Sequence, residues 1–228
     1  MKTLNNYILE RLNPRNLGSV DLDTLSEELK EKYRLVFNPT TGRYDCDGGI
    51  EVEDDLIKNG HFICNFGVVK KLFDCGGCNN LTSLKGAPKE VGWSFYCGGC
   101  KTLASLEGAP EKVGGDFNCG DCKNLTSLKG APKEIGRNFK CCKCDNLETL
   151  EGAPENVSGW LDCSECNKLE SLEGAPKEVG GDFYCNYCLG LKTLEGAPKE
   201  VGGDFSCYGC PKLKDYNINT KIGGILIK

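Results

Sequence analysis

The chain has 228 residues, 39% of them hydrophobic and 27% charged, with a formal net charge of −5. That length suits one ordinary domain or a short repeat array. The acidic balance leaves no large Lys/Arg excess for a phosphate backbone, so no nucleic-acid partner is expected. The most apolar run, residues 222–227, is far too short to span a bilayer, so no membrane partner is expected either.

Residues 1–12 place Leu4, Ile8 and Leu12 on one stripe of a short amphipathic helix, which Asn13-Pro14 ends. The same residues lack the apolar core of a secretory signal, which points to the cytoplasm. A second helix is expected from about Asp23 to Tyr33. Asp23 can cap it, Glu27 and Glu28 suit its N-terminus, and Leu25, Leu29 and Tyr33 form its apolar face. Residues 34–46 read as a β-hairpin around a Pro/Gly turn, completing a small α/β segment over 1–46. Residues 47–72 carry Leu56, Phe62, Cys64 and Val69 at repeat-like positions and read as an N-terminal cap coil.

From 73 to 216 the chain repeats every 22 residues, marked by Cys75/Cys78, Cys97/Cys100, Cys119/Cys122, Cys141/Cys144, Cys163/Cys166, Cys185/Cys188 and Cys207/Cys210. A fixed period of this size identifies a solenoid, each repeat one coil stacked on its neighbours. The fold class is therefore a β-rich repeat solenoid of seven 22-residue coils between two caps, the second a closing strand over 217–228. In each coil Phe, two Cys, two Leu, Ala and Val are expected to point inward. F-x-C alternates as a short strand, Gly-Ala-Pro interrupts it, and Gly-Gly-Asp makes the return corner.

Seventeen cysteines invite a chemical reading. Same-column neighbours one coil apart would lie about 5 Å from each other, too far for a disulfide, so free thiols are expected. Zinc needs four thiolates converging on one ion. With the C-x-x-C spacer read as extended strand, the two sulfurs diverge, and seven pairs leave one unmatched. Packing is the preferred role, because free cysteine behaves as a small hydrophobe. A metal-binding cysteine stack is the alternative. Cys142, beside Cys141, is expected to face outward, either as a tolerated exposed cysteine or as the one reactive thiol.

The inward pattern resembles the cysteine-containing leucine-rich repeat, whose core is L-x-x-L-x-L-x-x-N/C-x-L. Phe205 and Cys207 match its strand-core positions, Cys210 its ladder asparagine, and Leu213 the leucine that follows. The resemblance covers residues 69–216 and implies a leucine-rich-repeat-like stack. Two departures, Val201 falling one residue early and the Gly-Gly-Asp corner, imply a wider bend than the family's. The wording SLEGAPKEVGGDF also resembles repeats encoded by large tailed bacteriophages. Residues 1–12 are similar to the targeting peptides of some phage internal head proteins. Those likenesses imply a viral protein in the host cytoplasm that binds and blocks a host or defence protein. The alternative they imply is a structural or head-packaged virion component.

Catalysis has little support. His61, the single histidine, has no phased partner. Asp116, Asp182 and Asp204 most simply stabilise corners, or else form an acidic ladder for cations or a basic partner. No enzyme activity and no cofactor are expected. Binding should show at the outward positions, which change from coil to coil while the frame does not. Trp93, Tyr96, Trp160, Tyr184, Tyr187 and Tyr208 supply the side chains that anchor protein interfaces. With Asp182 and Asp204 they are the expected partner-binding residues of a non-catalytic protein-binding solenoid.

Overall fold

The computed structural model describes residues 25–228. The helix expected over 1–12 and the cap expected at Asp23 lie outside the described residues. The second helix spans Glu27–Tyr33 and starts from Ser26, whose Oγ accepts the Leu29 N–H at 3.3 Å. It ends at Arg34, which enters the left-handed region at φ +53°. Leu25 and Tyr33 are buried and Leu29 partly so, against the N-terminal end of the core. The hairpin pairs Val36–Asn38 with Arg43–Cys46, and its second strand continues in parallel onto Phe66–Val69. Among the described residues no helix is long and apolar enough to cross a membrane.

The rest is a β-solenoid of about eight stacked coils of roughly 22 residues. Each regular coil carries two short strands rather than the one read from F-x-C. The first ladder joins Ile50–Glu51, Phe73–Asp74 and their equivalents in parallel register down to Phe205–Ser206 and Leu226–Ile227. Its inward residues stack ring on ring, with centroids 5.4 Å apart for Phe73–Phe95, 5.6 Å for Phe95–Phe117 and 5.7 Å for Phe117–Phe139. The second ladder is made by the residue pair ending in Val or Ile before each corner, such as Glu90–Val91, Lys112–Val113 and Glu134–Ile135. A β-branched residue with one face buried is what a strand favours. The closing segment supplies both ladders with a last strand, Lys221–Ile222 and Leu226–Ile227.

The Gly-Gly corner explains why the coils can stack so closely. A Cβ on Gly114 would meet the Gly92 carbonyl oxygen, and one on Gly136 would meet that of Gly114. The same geometry recurs at Gly180 and Gly202. Ser158 is the one coil's departure from that glycine, and the second ladder breaks there. It runs unbroken to Glu134–Ile135 and restarts at Asn156–Val157. Gly136 N–H reaches the Val113 carbonyl at 2.9 Å and Gly180 N–H the Val157 carbonyl at 2.8 Å. Ser158 carries a side chain where those glycines have none, and the coils rejoin one residue later, with Gly159 N–H on the Arg137 carbonyl at 2.8 Å. The outer face is laced by inter-coil pairs such as Lys89–Glu111 at 3.1 Å and Lys112–Glu134 at 3.2 Å. They are exposed and worth little in stability, but they keep the ladder's outside charged.

The C-x-x-C spacer is a turn, not extended strand, which corrects the reading from sequence. Its second residue is left-handed in every regular coil, from Gly77 at φ +73° through Glu165 at +59° to Gly209 at +74°. In six of the seven coils the turn is also bonded to the next coil. That residue's N–H donates to a carbonyl of the next coil at 2.8 Å, as in Gly77 to Gly98, Asp121 to Cys142 and Glu165 to Asn186. The turn swings both cysteines of each pair inward. All seventeen are free thiols, and sixteen are buried, Cys78 being half-buried. The second thiol of a pair donates to the carbonyl of the first cysteine one coil back. Cys100 reaches Cys75 O at 3.1 Å, Cys122 reaches Cys97 O at 3.2 Å, and Cys210 reaches Cys185 O at 3.2 Å. The ladder thus satisfies carbonyls that the turn leaves inside the core. Cys142, expected outward, is buried at 6% exposure. Burial pushes its thiol up to about 11. It is neither the exposed cysteine nor the accessible reactive thiol that the sequence offered. Among the described residues no three His, Cys, Asp or Glu side chains converge as metal ligands would.

Candidate functional site

The expected binding residues fall into three places. Tyr96 and Tyr184 lie in one outward column of the first ladder, in register through Asn118, Lys140 and Asp162, and so four coils apart. At about 4.8 Å per coil that is roughly 19 Å, too far to act together on one small group. Trp93, 60% exposed, stands at the second corner position of its coil, with Lys71 Nζ 5.6 Å from its ring centre. Trp160 is half-buried in the third corner column, where its backbone N–H donates to Asn138 Oδ1 at 3.0 Å.

Asp182 and Asp204 belong to that same corner column, and the structure commits their carboxylates to the frame. Asp182 Oδ1 accepts the Asp204 N–H at 2.7 Å, and Asp204 Oδ1 accepts the Ile225 N–H at 2.9 Å. Asp116 does likewise for Asn138 at 3.1 Å. Each carboxylate caps the corner of the next coil, so these aspartates stabilise corners as expected, but between coils and not within their own turn. Tyr184 is tied into the column, its hydroxyl donating to Asp182 Oδ2 at 2.6 Å. That hydrogen bond, with some burial, holds the Tyr184 hydroxyl up at about 12; the same bond, with the Asp204 N–H, holds Asp182 below the usual carboxylate range.

Tyr187 and Tyr208 come together differently. Their rings meet edge to face with centroids 5.5 Å apart, and each residue is 52% exposed. Leu189 stands beside them, 51% exposed. Glu165, Asn167, Tyr187 and Leu189 line an open hollow between adjacent coils. The backbone under the patch is well held. Asn186 Oδ1 accepts the Tyr208 N–H at 3.0 Å and the hydroxyl of buried Ser206 at 2.6 Å.

Tyr187 occupies the left-handed turn position at φ +55°, where three other coils have glycine and three have Asp121, Lys143 or Glu165. A large side chain there costs about 1–2 kcal/mol, and such strain gathers at sites selected for something other than stability. Replacing Tyr187 with Gly should therefore leave a protein about 1 kcal/mol more stable than Tyr187→Ala, reversing the ordinary order of the two. Urea unfolding of the pair checks this, and the ordinary order would remove the strain from the argument.

The sequence placed Glu165 among the outward, variable positions without singling it out, and assigned no role to Leu189 and Asn167. Leu189 had a signal, since its column otherwise reads Asn79, Lys101, Lys123, Asp145, Asn167 and Pro211. An apolar residue alone in a polar, exposed column is out of pattern. No family model, characterised protein or solved structure matches the chain.

Proposed function

We propose that the protein is a non-catalytic solenoid that docks a protein partner on the patch formed by Tyr187, Leu189 and Tyr208. The observation that carries this reading is Tyr187 itself, half-exposed and held in a backbone conformation that glycine would occupy at lower cost. Paired tyrosines with an exposed leucine on a rigid ladder supply large contact area with few rotors to freeze, the composition of an interface centre. Stacking in turn holds the patch on a preformed surface, which lowers the ordering cost of binding. The likeness of the repeats to those of tailed bacteriophages supports a bacterial host protein as the partner, blocked by being covered.

The test is capture from bacterial lysate with the full chain, a Tyr187→Gly/Tyr208→Ala variant and a Trp93→Ala variant, each shown to be folded. A protein retained by wild type and Trp93→Ala but lost, by tenfold or more (about 1.4 kcal/mol), with the double variant is the expected result. Equal retention by the double variant would remove the patch from the function.

A further inference from the structure

We infer that the hollow beside Tyr187 receives an arginine side chain of the docked partner, a step that rests on the docking reading above. Its four lining residues match the parts of that side chain. Glu165 brings a carboxylate whose nearest cation, Lys143 Nζ, is 3.6 Å away, against 2.6 Å for Lys192–Glu170 and 2.7 Å for Lys221–Glu200. Its side chain is 48% exposed, so the charge is open to a better partner. Asn167 uses its amide N–H on Asp145 Oδ1 at 3.1 Å, which leaves its amide oxygen as an acceptor. Tyr187 contributes an aromatic ring and Leu189 an apolar wall. A guanidinium is flat, carries its donors in a fork, and stacks on aromatic faces, while its methylene stem suits an apolar wall. Two acceptors, a ring and a leucine are complementary to that group, and less so to the compact ammonium of lysine.

The stretch of chain that carries the hollow's lining residues has the matching sign over residues 160–190. Residues 160–190 contain six Asp or Glu and two Lys, a net of −4 within a chain whose total is −5. Long-range attraction therefore draws a cation toward these coils as well as holding it there. The turn geometry adds rigidity, because Glu165 and Tyr187 occupy the same left-handed position in successive coils at φ +59° and +55°. Each is held by its N–H bond to the next coil at 2.8 Å. Both groups are presented before the partner arrives.

The test is an NMR titration of the full chain with the peptide acetyl-Gly-Arg-Gly-amide, reading the Leu189 methyls and the Tyr187 ring. Saturable shifts at both residues are expected. The citrulline peptide, equal in shape but neutral, should give none, and the lysine peptide should bind several-fold more weakly. Glu165→Gln should weaken the arginine peptide about tenfold, and added salt should weaken it in wild type. Absence of saturable shifts, equal binding of citrulline or lysine, or full binding by Glu165→Gln would each overturn the assignment. If a captured partner is lost with Tyr187→Gly/Tyr208→Ala while the arginine peptide fails to bind, docking stands and the arginine assignment alone falls.

Discussion

Above about pH 8.5 the protein is expected to lose its stability steeply and to unfold within roughly one to two pH units. Burial pushes the thiols of Cys64, Cys144 and Cys188 up to about 12. Burial also holds Cys75, Cys97, Cys119, Cys122, Cys141, Cys163, Cys166 and Cys185 well above the ordinary thiol value. In the unfolded chain each returns to about 8.5. Below that pH both states keep the proton and nothing is lost. Above it the unfolded chain releases protons that the folded core retains, so stability falls as pH rises toward the folded values. One unit above 8.5, each such thiol forfeits about 1.4 kcal/mol. These eleven together then forfeit about 15 kcal/mol, as much as the whole stability of an ordinary domain. Urea midpoints measured under reductant from neutral pH to about pH 10 should drop throughout the upper part of that range. A midpoint unchanged across it would show that the cysteine core does not titrate on unfolding. Cys97→Val should flatten the slope by one proton's share, about 1.4 kcal/mol per pH unit.

The second large effect concerns the ring column. Phe117→Ala should cost about 3–5 kcal/mol, because the ring is fully buried between Phe95 and Phe139 at 5.6 and 5.7 Å. Neighbouring coils are too tightly bonded by the two ladders to close the gap. Phe117→Leu should cost less than about 1.5 kcal/mol, since the chain already places Leu161 in this column, fully buried. In a one-dimensional stack the damage also uncouples the coils on either side. Hydrogen exchange should therefore show the Phe95 and Phe139 strands opening together in Phe117→Ala. A loss below about 1 kcal/mol would mean that the column adds little beyond its parts.

Much of this architecture was legible in the residues. The 22-residue period announced the solenoid, and Phe, Cys, Leu and Val columns named the core, because identical residues at a fixed period stack on themselves. The second ladder was harder to see. Its strands are two residues long, too short for any alternation to show. The corner aspartates were readable as corner residues, but not their bonds, which run to the coil above. The candidate site was half legible. Tyrosines were visible as anchors, but the sequence treated Tyr96, Tyr184, Tyr187 and Tyr208 alike. The structure separates them, tying Tyr184 to Asp182 and leaving Tyr187 and Tyr208 paired and exposed.

By itself the sequence determined the period, the inward columns and the order of segments along the chain, because those depend only on which residue types recur at which spacing. The direction of everything between the two cysteines of a pair was decided by tertiary structure. There the backbone turns left-handed whether the residue is Gly77, Lys143, Tyr187 or Gly209, and in six of the seven coils the N–H of that residue reaches a carbonyl of the next coil. That one turn carries both thiols inward and sets Tyr187 beside Leu189 and against Glu165 of the coil before it. No spacing in the chain encodes that φ angle.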